Sequence, residues 1–289
     1  MLVLCACAVA PPPQQPQGQG KLQKATRKAS QPSSGGSSGG GSSHGSGHSS
    51  SYSGSSSWDD EDESFGDMVA SAVGEVVLWT VASPFWLPHH LMEERPGDLQ
   101  MGYYLAHPYP ADDRPFLATS DADPDYQALS FRSQVEYGND FDGVERLGVS
   151  LRMETAVRLG IDSSWSRYEE DLPGGTTDTL NLGDVDLTYR FAQSGDGEMR
   201  AGFGLNWLAD GPVHETGFNF TYGGDFYPGA PWITSFEFDV GTLGEVTRFH
   251  GRATVGAALG CGELNVGFDY ETLDSASLPT WTVGLRLWF

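Results

Sequence analysis

The chain has 289 residues, with 39 acidic against 16 basic side chains, a formal net charge of −23, and 38 glycines. So strong an acidic excess argues against nucleic-acid binding, because phosphate contacts need clustered lysine and arginine. It fits an exposed surface that stays soluble or takes up cations, on a chain long enough for one or two domains with a core.

Residues 1–10, MLVLCACAVA, read as the apolar core of a signal peptide without its basic start, and are too short to span a bilayer. Leu4-Cys5-Ala6-Cys7 resembles a bacterial lipobox, which would make Cys7 a lipid-bearing N-terminus; a plain cleaved signal is the alternative. Cys261 has no evident partner, so no disulfide framework is expected. Residues 11–64 run from PPPQQPQ through a short basic patch and a Gly/Ser tract to WDDEDES. Little there can bury apolar area, which predicts a disordered linker in which His44 and His48 are polar spacers. The basic patch holds every lysine of the chain, Lys21, Lys24 and Lys28.

Residues 65–125 form a third region. Met68 to Leu87 is long enough for a membrane helix, but Glu75 near its middle would cost about 2–3 kcal/mol on insertion. The preferred expectation is a helix that packs on or inside another element, a candidate plug, ended near Pro84 and Pro88. His89 and His90 lack further ligands for a metal. Asp98 to Asp125 reads as extended loop.

Residues 126–289 have a different texture. Ten apolar-alternating runs follow one another, each about the length of a tilted membrane strand. They are approximately Tyr126–Gly138, Arg146–Met153, Ala156–Arg167, Leu182–Phe191, Met199–Leu208, Thr216–Phe226, Trp232–Gly241, Thr247–Leu259, Glu263–Thr272 and Thr280–Phe289. Connections after the even runs are short (ETA, SGDGE, YPGAP, GCG), whereas those after the odd runs are mostly longer and more acidic, notably EEDLPGGTTDT and LDSASLP. The expectation is an all-β, antiparallel up-and-down barrel of ten strands, eight being the alternative, with two unequal ends.

One face of each run is apolar, as in Phe203, Leu205 and Trp207 or Val266, Phe268 and Tyr270; the other carries Gly, Ser, Thr, Asn and charge. Alternation alone does not separate a soluble barrel from a membrane barrel. Three features favour the membrane. No strand has a lysine to blunt a water-facing surface. Charges on the polar face alternate with glycines such as Gly202, Gly204 and Gly267, which suits a narrow lumen. Aromatics gather near strand ends: Phe191, Phe226, Trp232 and Phe289 at one, Tyr137, Trp165, Trp207 and Tyr270 at the other, as two interfacial girdles would.

The final strand, TWTVGLRLWF, sets Trp281, Val283, Leu285, Leu287 and Phe289 on one face. With this ending, residues 126–289 resemble small bacterial outer-membrane β-barrels of the OmpA and OmpX type. The five residues are similar to the signal by which the outer-membrane assembly machinery recognises its clients. The resemblance implies an outer-membrane location, lipid and lipopolysaccharide as surroundings, and the assembly machinery as a partner; it specifies architecture rather than activity.

On the polar face lie Arg132, Arg152, Arg158, Arg190, Arg200, Arg252 and Arg286 against Glu136, Asp162, Asp186, Asp225, Glu237, Asp239, Asp269 and Glu271, a nearly balanced set. An ion-pair network filling the barrel is one reading, a narrow charge-selective pore the other. His250 and His214 could stand near the rim, but no serine sits in a nucleophile motif. No catalytic residue, cofactor or metal is expected, and the chain reads as a non-enzyme with a structural or porin-like role. A soluble or periplasmic ligand-binding barrel and an outer-membrane barrel hydrolase remain alternatives. From residue 126 on, 24 acids face 10 arginines, and the surplus is expected in long loops bearing Asp140, Asp142, Glu145, Glu169, Glu170, Asp171, Asp178, Asp210, Glu215, Glu245 and Asp274. Weak Ca²⁺ or Mg²⁺ bridging there, without a formed site, stands against a merely solvated acidic surface.

Overall fold

A computed structural model describes residues 20–29, 83–90, 92, 100–110, 114–119, 123–172, 175–274 and 276–289. Two short strands, β1 (Tyr103–Tyr104) and β2 (Leu117–Ala118), precede ten long ones. These are β3 (Leu129–Asn139), β4 (Val144–Thr155), β5 (Leu159–Leu172), β6 (Thr176–Ser194), β7 (Gly197–Asp210), β8 (Val213–Gly229), β9 (Trp232–Leu243), β10 (Val246–Leu259), β11 (Gly262–Leu273) and β12 (Ala276–Trp288). Each pairs antiparallel with the next. β12 returns to β3 from Trp281↔Asn139 to Trp288↔Arg132, so the barrel closes with ten strands. Phe131 and Phe289 extend that seam by exchanging backbone hydrogen bonds of 3.0 and 2.9 Å.

The period-two alternation sets the two faces. Along β3 the exposed Phe131, Val135 and Tyr137 point outward, while Arg132, Gln134 and Glu136 are buried inside. Closure removes every sheet edge, which is how a strand array without lysines avoids edge pairing.

The expected long loops are instead strand. β5 runs to Leu172 and β6 begins at Thr176, so most of EEDLPGGTTDT is paired, with Glu169↔Thr179 and Asp171↔Thr177 in register. LDSASLP is likewise mostly strand, with β11 running to Leu273 and β12 beginning at Ala276. The hydrophobic alternation stops in both stretches, but β-branched threonines and a satisfied ladder keep the backbone extended. The two ends therefore differ in charge and strand overhang rather than in loop length.

One end, here the acidic end, carries the β3–β4, β5–β6, β7–β8, β9–β10 and β11–β12 turns. A second departure lies there. Residues 21–29, expected to be part of a disordered linker, form a helix, α1 (Lys21–Ala29), seated in the barrel mouth. Leu22 and Ala25 are fully buried among Leu180, Leu182, Leu208, Leu243, Leu273 and Leu278. Gly20 makes the approach practicable, because a Cβ there would lie 2.5 Å from Leu172 Cδ2 and 2.6 Å from Glu170 Oε2.

At the opposite, terminal end, where β3 starts and β12 finishes, residues 100–110 and 114–119 fold across the opening. Tyr104, Leu105, Phe116 and Leu117 pack with Tyr227, Ile233 and Trp288. Of the candidate plug helix, only its last residues, from Ser83, are described, and these lie outside the barrel. Residues 68–82 lie outside the described residues, and residues 83–90 are helical against the outer wall, with Phe85 5.3 Å from Phe191 and 5.8 Å from Tyr222 between ring centroids. Pro84 falls in the first turn of this helix rather than ending it, since an N-terminal turn needs no proline N–H. Pro88 leaves the Pro84 carbonyl without its helical donor, and the Tyr222 hydroxyl supplies one at 2.5 Å.

Candidate functional site

The interior is stacked in three layers: the aromatic cover at the terminal end, charges in the middle, and a leucine collar under α1. Its lower charged cluster centres on Asp225 of β8, fully buried, whose Oδ2 accepts from Arg132 Nη2 (3.0 Å), Arg152 Nη1 (3.0 Å) and Arg200 Nη1 (2.7 Å). Glu237 accepts from Arg152 Nη2 (2.5 Å) and Arg200 Nη2 (3.0 Å), and Arg152 also pairs with Asp162. Arg286 pairs with Glu263 at 3.0 Å and donates through Nε to Gln134 at 2.7 Å. The Arg132 guanidinium stacks over Trp288, 4.8 Å from its ring centre.

The upper cluster links Arg146 to Glu136 and Asp269 (both 3.1 Å), Arg252 to Glu136 (3.1 Å), and Arg248 to Glu271 and Asp184 (2.9 and 3.2 Å). His250 lies inside it, Nδ1 2.7 Å from Asp239 and Nε2 2.9 Å from Asp269. Each ring nitrogen thus faces a carboxylate, leaving neither to take a proton from a serine or water. His214 is exposed on the outer face, remote from it. The space among Arg132, Arg152, Arg200, Asp225 and Arg286 amounts to about 10 Å³, room for a single water.

Of the fifteen charges expected inside, Arg132, Glu136, Arg152, Asp162, Asp186, Arg200, Asp225, Glu237, Asp239, Asp269, Glu271 and Arg286 are buried in the middle layer, with Arg252 half-buried beside them. Arg158 and Arg190 are buried lower down, Arg158 Nε donating to the Gln100 carbonyl (2.8 Å) and Arg190 lying 3.5 Å from Glu198. Asp186 accepts two bonds from Asn219 (3.1 and 2.9 Å).

The expected charge balance is corrected. Arg146, Arg248, Glu154, Glu170, Asp184, Glu198 and Glu263 are buried too, so nine arginines, counting half-buried Arg252, meet thirteen carboxylates. Most of these additions sit at or beyond the ends of the alternating runs, where strand overhang carries them inside. The same overhang puts Glu169, Glu170, Asp171 and Asp178 on strands instead of loops. Strict parity within each run would have found Arg146, Arg248, Asp184 and Glu263, and the same parity carried into the flanking residues would have found Glu154, Glu170 and Glu198. In the last strand, Trp281, Val283, Leu285 and Phe289 are exposed outward and Leu287 is half-buried. Cys7 lies outside the described residues, as do His44 and His48. His90 stacks on Trp86 (5.4 Å), and His89 lies 6.0 Å from Phe191.

At the acidic end, the Lys21 ammonium bridges Asp140 (2.7 Å) and Asp142 (2.9 Å). Burial opposes its charge, but the bonds to the two carboxylates outweigh burial and raise its pKa above the ordinary lysine value. Burial pushes the Asp140 carboxyl up, yet Lys21 and the amides of Val144 and Asp142 hold it below the ordinary aspartate value. A lowered carboxylate stabilises above its unfolded pKa, about 3.9, and loses this as pH falls through the lowered value; a raised lysine stabilises below about 10.4 and loses this as pH rises through the raised one. The stability difference between the wild type and Lys21→Met should therefore be constant from about pH 5 to 9 and shrink below about pH 4. Chemical unfolding in detergent measures it; a difference that persists undiminished at pH 3 would contradict the pairing.

Fold and interior define a closed ten-stranded barrel with an apolar exterior and a sealed, charged interior. No family model matches the chain, and no curated protein matches it. Among solved structures, it is similar to the Yersinia pestis outer membrane protein Ail in a phospholipid bilayer nanodisc, with 12% identity over 56% of this chain and 100% of that one, at a TM-score of 0.32. A crystal structure of Ail, the attachment invasion locus protein of Yersinia pestis, matches with 10% identity over 56% of this chain and 96% of that one, at a TM-score of 0.26. Likeness at this level carries no functional inference.

Proposed function

We propose that the chain is a bacterial outer-membrane β-barrel protein of structural, non-enzymatic role, its barrel a filled scaffold rather than an open pore. The observation that carries the membrane reading is the outer wall. Leu129 to Asn139, Leu147 to Thr155 and Val185 to Phe191 present no charge outward, nor do the facing stretches of the other strands; outward charges begin only at Glu145, Arg167 and Glu169 near the acidic end. Ten residue steps of about 3.3 Å, tilted by about 40°, give an uncharged band about 25 Å tall, the height of an outer-membrane hydrocarbon core. Exposed leucines, valines and phenylalanines on this scale would be an aggregation liability in water. A soluble ligand-binding barrel would need an apolar interior cavity, whereas this interior is charged and filled. Retention in the membrane pellet after carbonate and salt washes, with altered gel mobility when unboiled, tests the reading; release without detergent would sink it.

The filled interior supports a non-conducting barrel. In planar bilayers the full chain is expected to give small currents or none, and large stable channels would overturn this. The assembly-signal reading of the last strand extends to Phe289. Its backbone bonds to Phe131 survive in Phe289→Ala, so that variant isolates the side chain; it should lower the inserted amount far more than Phe218→Ala, an outward aromatic mid-wall. Equal yields would remove the signal role. Lipid and lipopolysaccharide are the proposed surroundings, with divalent cations associating weakly at exposed rim carboxylates such as Glu145 and Glu245.

A further inference from the structure

α1 has nine residues, too few to hold a helix in water by itself. Three features of the mouth supply what it lacks. The Glu170 carboxylate accepts from the first two helical amides, Lys21 N and Leu22 N, at 2.9 Å each, where the helix dipole is positive. Leu22 and Ala25, one turn apart, enter the leucine collar. Asp140 and Asp142 clamp Lys21, while Lys24 and Arg27 face solvent. Without α1 the collar would be a recessed apolar patch ringed by acid.

An apolar floor, an acidic rim and a carboxylate aimed at a helix start together suit one kind of ligand, a short amphipathic helix that is cationic on its outer face. We propose that the acidic mouth of the barrel is a binding site for such a helix, and that residues 20–29 of this chain are its tethered occupant, a removable cap. Covalent attachment favours the cap over a free peptide, so a free peptide competes best once the cap is cut. The seat does not depend on whether the outer wall meets lipid. α1 and the helix at residues 83–90 lie at opposite ends of the barrel, α1 in the acidic mouth and the other helix against the outer wall beside Phe191 and Tyr222.

Because all three lysines lie in α1, a lysine-specific protease reads the cap alone. Purified full-length protein in detergent is expected to be cut slowly, since a protease needs the helix undocked and unfolded. Glu170→Gln and Leu22→Asp should each speed cutting about tenfold or more, while Glu145→Gln, at an exposed rim position, should not. Unboiled gel mobility checks that each barrel stays folded, and Leu22→Asp leaves the barrel sequence untouched. After cutting, a fluorescent peptide of residues 20–29 should bind the wild-type barrel and bind Glu170→Gln several-fold more weakly. Cutting of wild type as fast as of Leu22→Asp, or peptide binding indifferent to Glu170, overturns the proposal. On intact cells, a membrane-impermeant amine reagent should label exposed Lys24 under conditions where Glu145→Cys, exposed at the same rim and outside the Lys21 clamp, is labelled by an impermeant thiol reagent. Labelling at position 145 without Lys24 would overturn the cap in place.

Discussion

Replacing Asp225 by asparagine is expected to destabilise the barrel by about 3–5 kcal/mol, the scale on which a buried ion pair fails when one partner is removed. The substitution keeps the shape of the side chain, removes its charge and turns one of its two acceptor oxygens into an NH2 donor. Three guanidinium groups on β3, β4 and β7 then lose the carboxylate they share, and Glu237 and Asp162 are left to serve them. Such a cluster is not favourable merely because it is charged. Desolvating each ion costs several kcal/mol, which the pairing offsets only while the set is complete. Adding Arg200→Met to Asp225→Asn should therefore recover part of the loss, giving a positive coupling in the double-mutant cycle. Asp196→Asn, in an exposed turn, should stay within about 0.5 kcal/mol of wild type. Urea unfolding in detergent, followed by tryptophan fluorescence, measures these variants together with Arg200→Met alone, which completes the cycle. Equal effects at Asp225 and Asp196 would mean that the interior charges do not hold the strands together.

The barrel was legible because ten strands repeat one physical signal, the alternation of large apolar side chains with small or charged ones. Ten repetitions make strand number and facing robust even where a single strand would prove nothing. The signal ends before the strands do. At the acidic end the inward positions turn from charged to apolar, as in Leu180, Leu182, Leu208 and Leu278, while the outward ones turn polar, as in Asn181, Thr179 and Ser277. The reversal blurs the alternation and makes paired residues read as loop. α1 was invisible for a different reason. Its nine residues have no helix-forming context, and the groups that fold it, Glu170 and the collar, lie about 150 to 250 positions away in sequence. What could be noticed was only that the chain's lysines and its acidic strand ends sit in separate regions of opposite charge. The helix at residues 83–90 shows the converse case: two prolines that would end a helix are tolerated, one in the first turn and one because Tyr222 satisfies the carbonyl it orphans.

The outer wall yields the second large expected effect, at Leu205. This side chain is 67% exposed and sits mid-wall on β7, between Val185 and Phe218 on the flanking strands, with no charge near it on that face. Leu205→Arg would place a cation inside the apolar band, at a cost of up to about 2–4 kcal/mol in a transmembrane barrel. The same substitution on a water-facing wall would be close to neutral, because an exposed surface position tolerates arginine within about 0.5 kcal/mol. Arginine at Thr216, near the acidic end of the neighbouring strand and exposed there, serves as the control, since the depth-dependent penalty falls to about 0–1 kcal/mol at the interface. Folding yield into phospholipid vesicles across a urea series, read from unboiled gel mobility, separates the cases. Loss of folded barrel in Leu205→Arg, with Thr216→Arg near wild type, is what lipid contact requires. Matching yields from the two variants would mean that the apolar wall meets something other than a bilayer, because only a hydrocarbon slab makes the penalty for one added cation depend on depth.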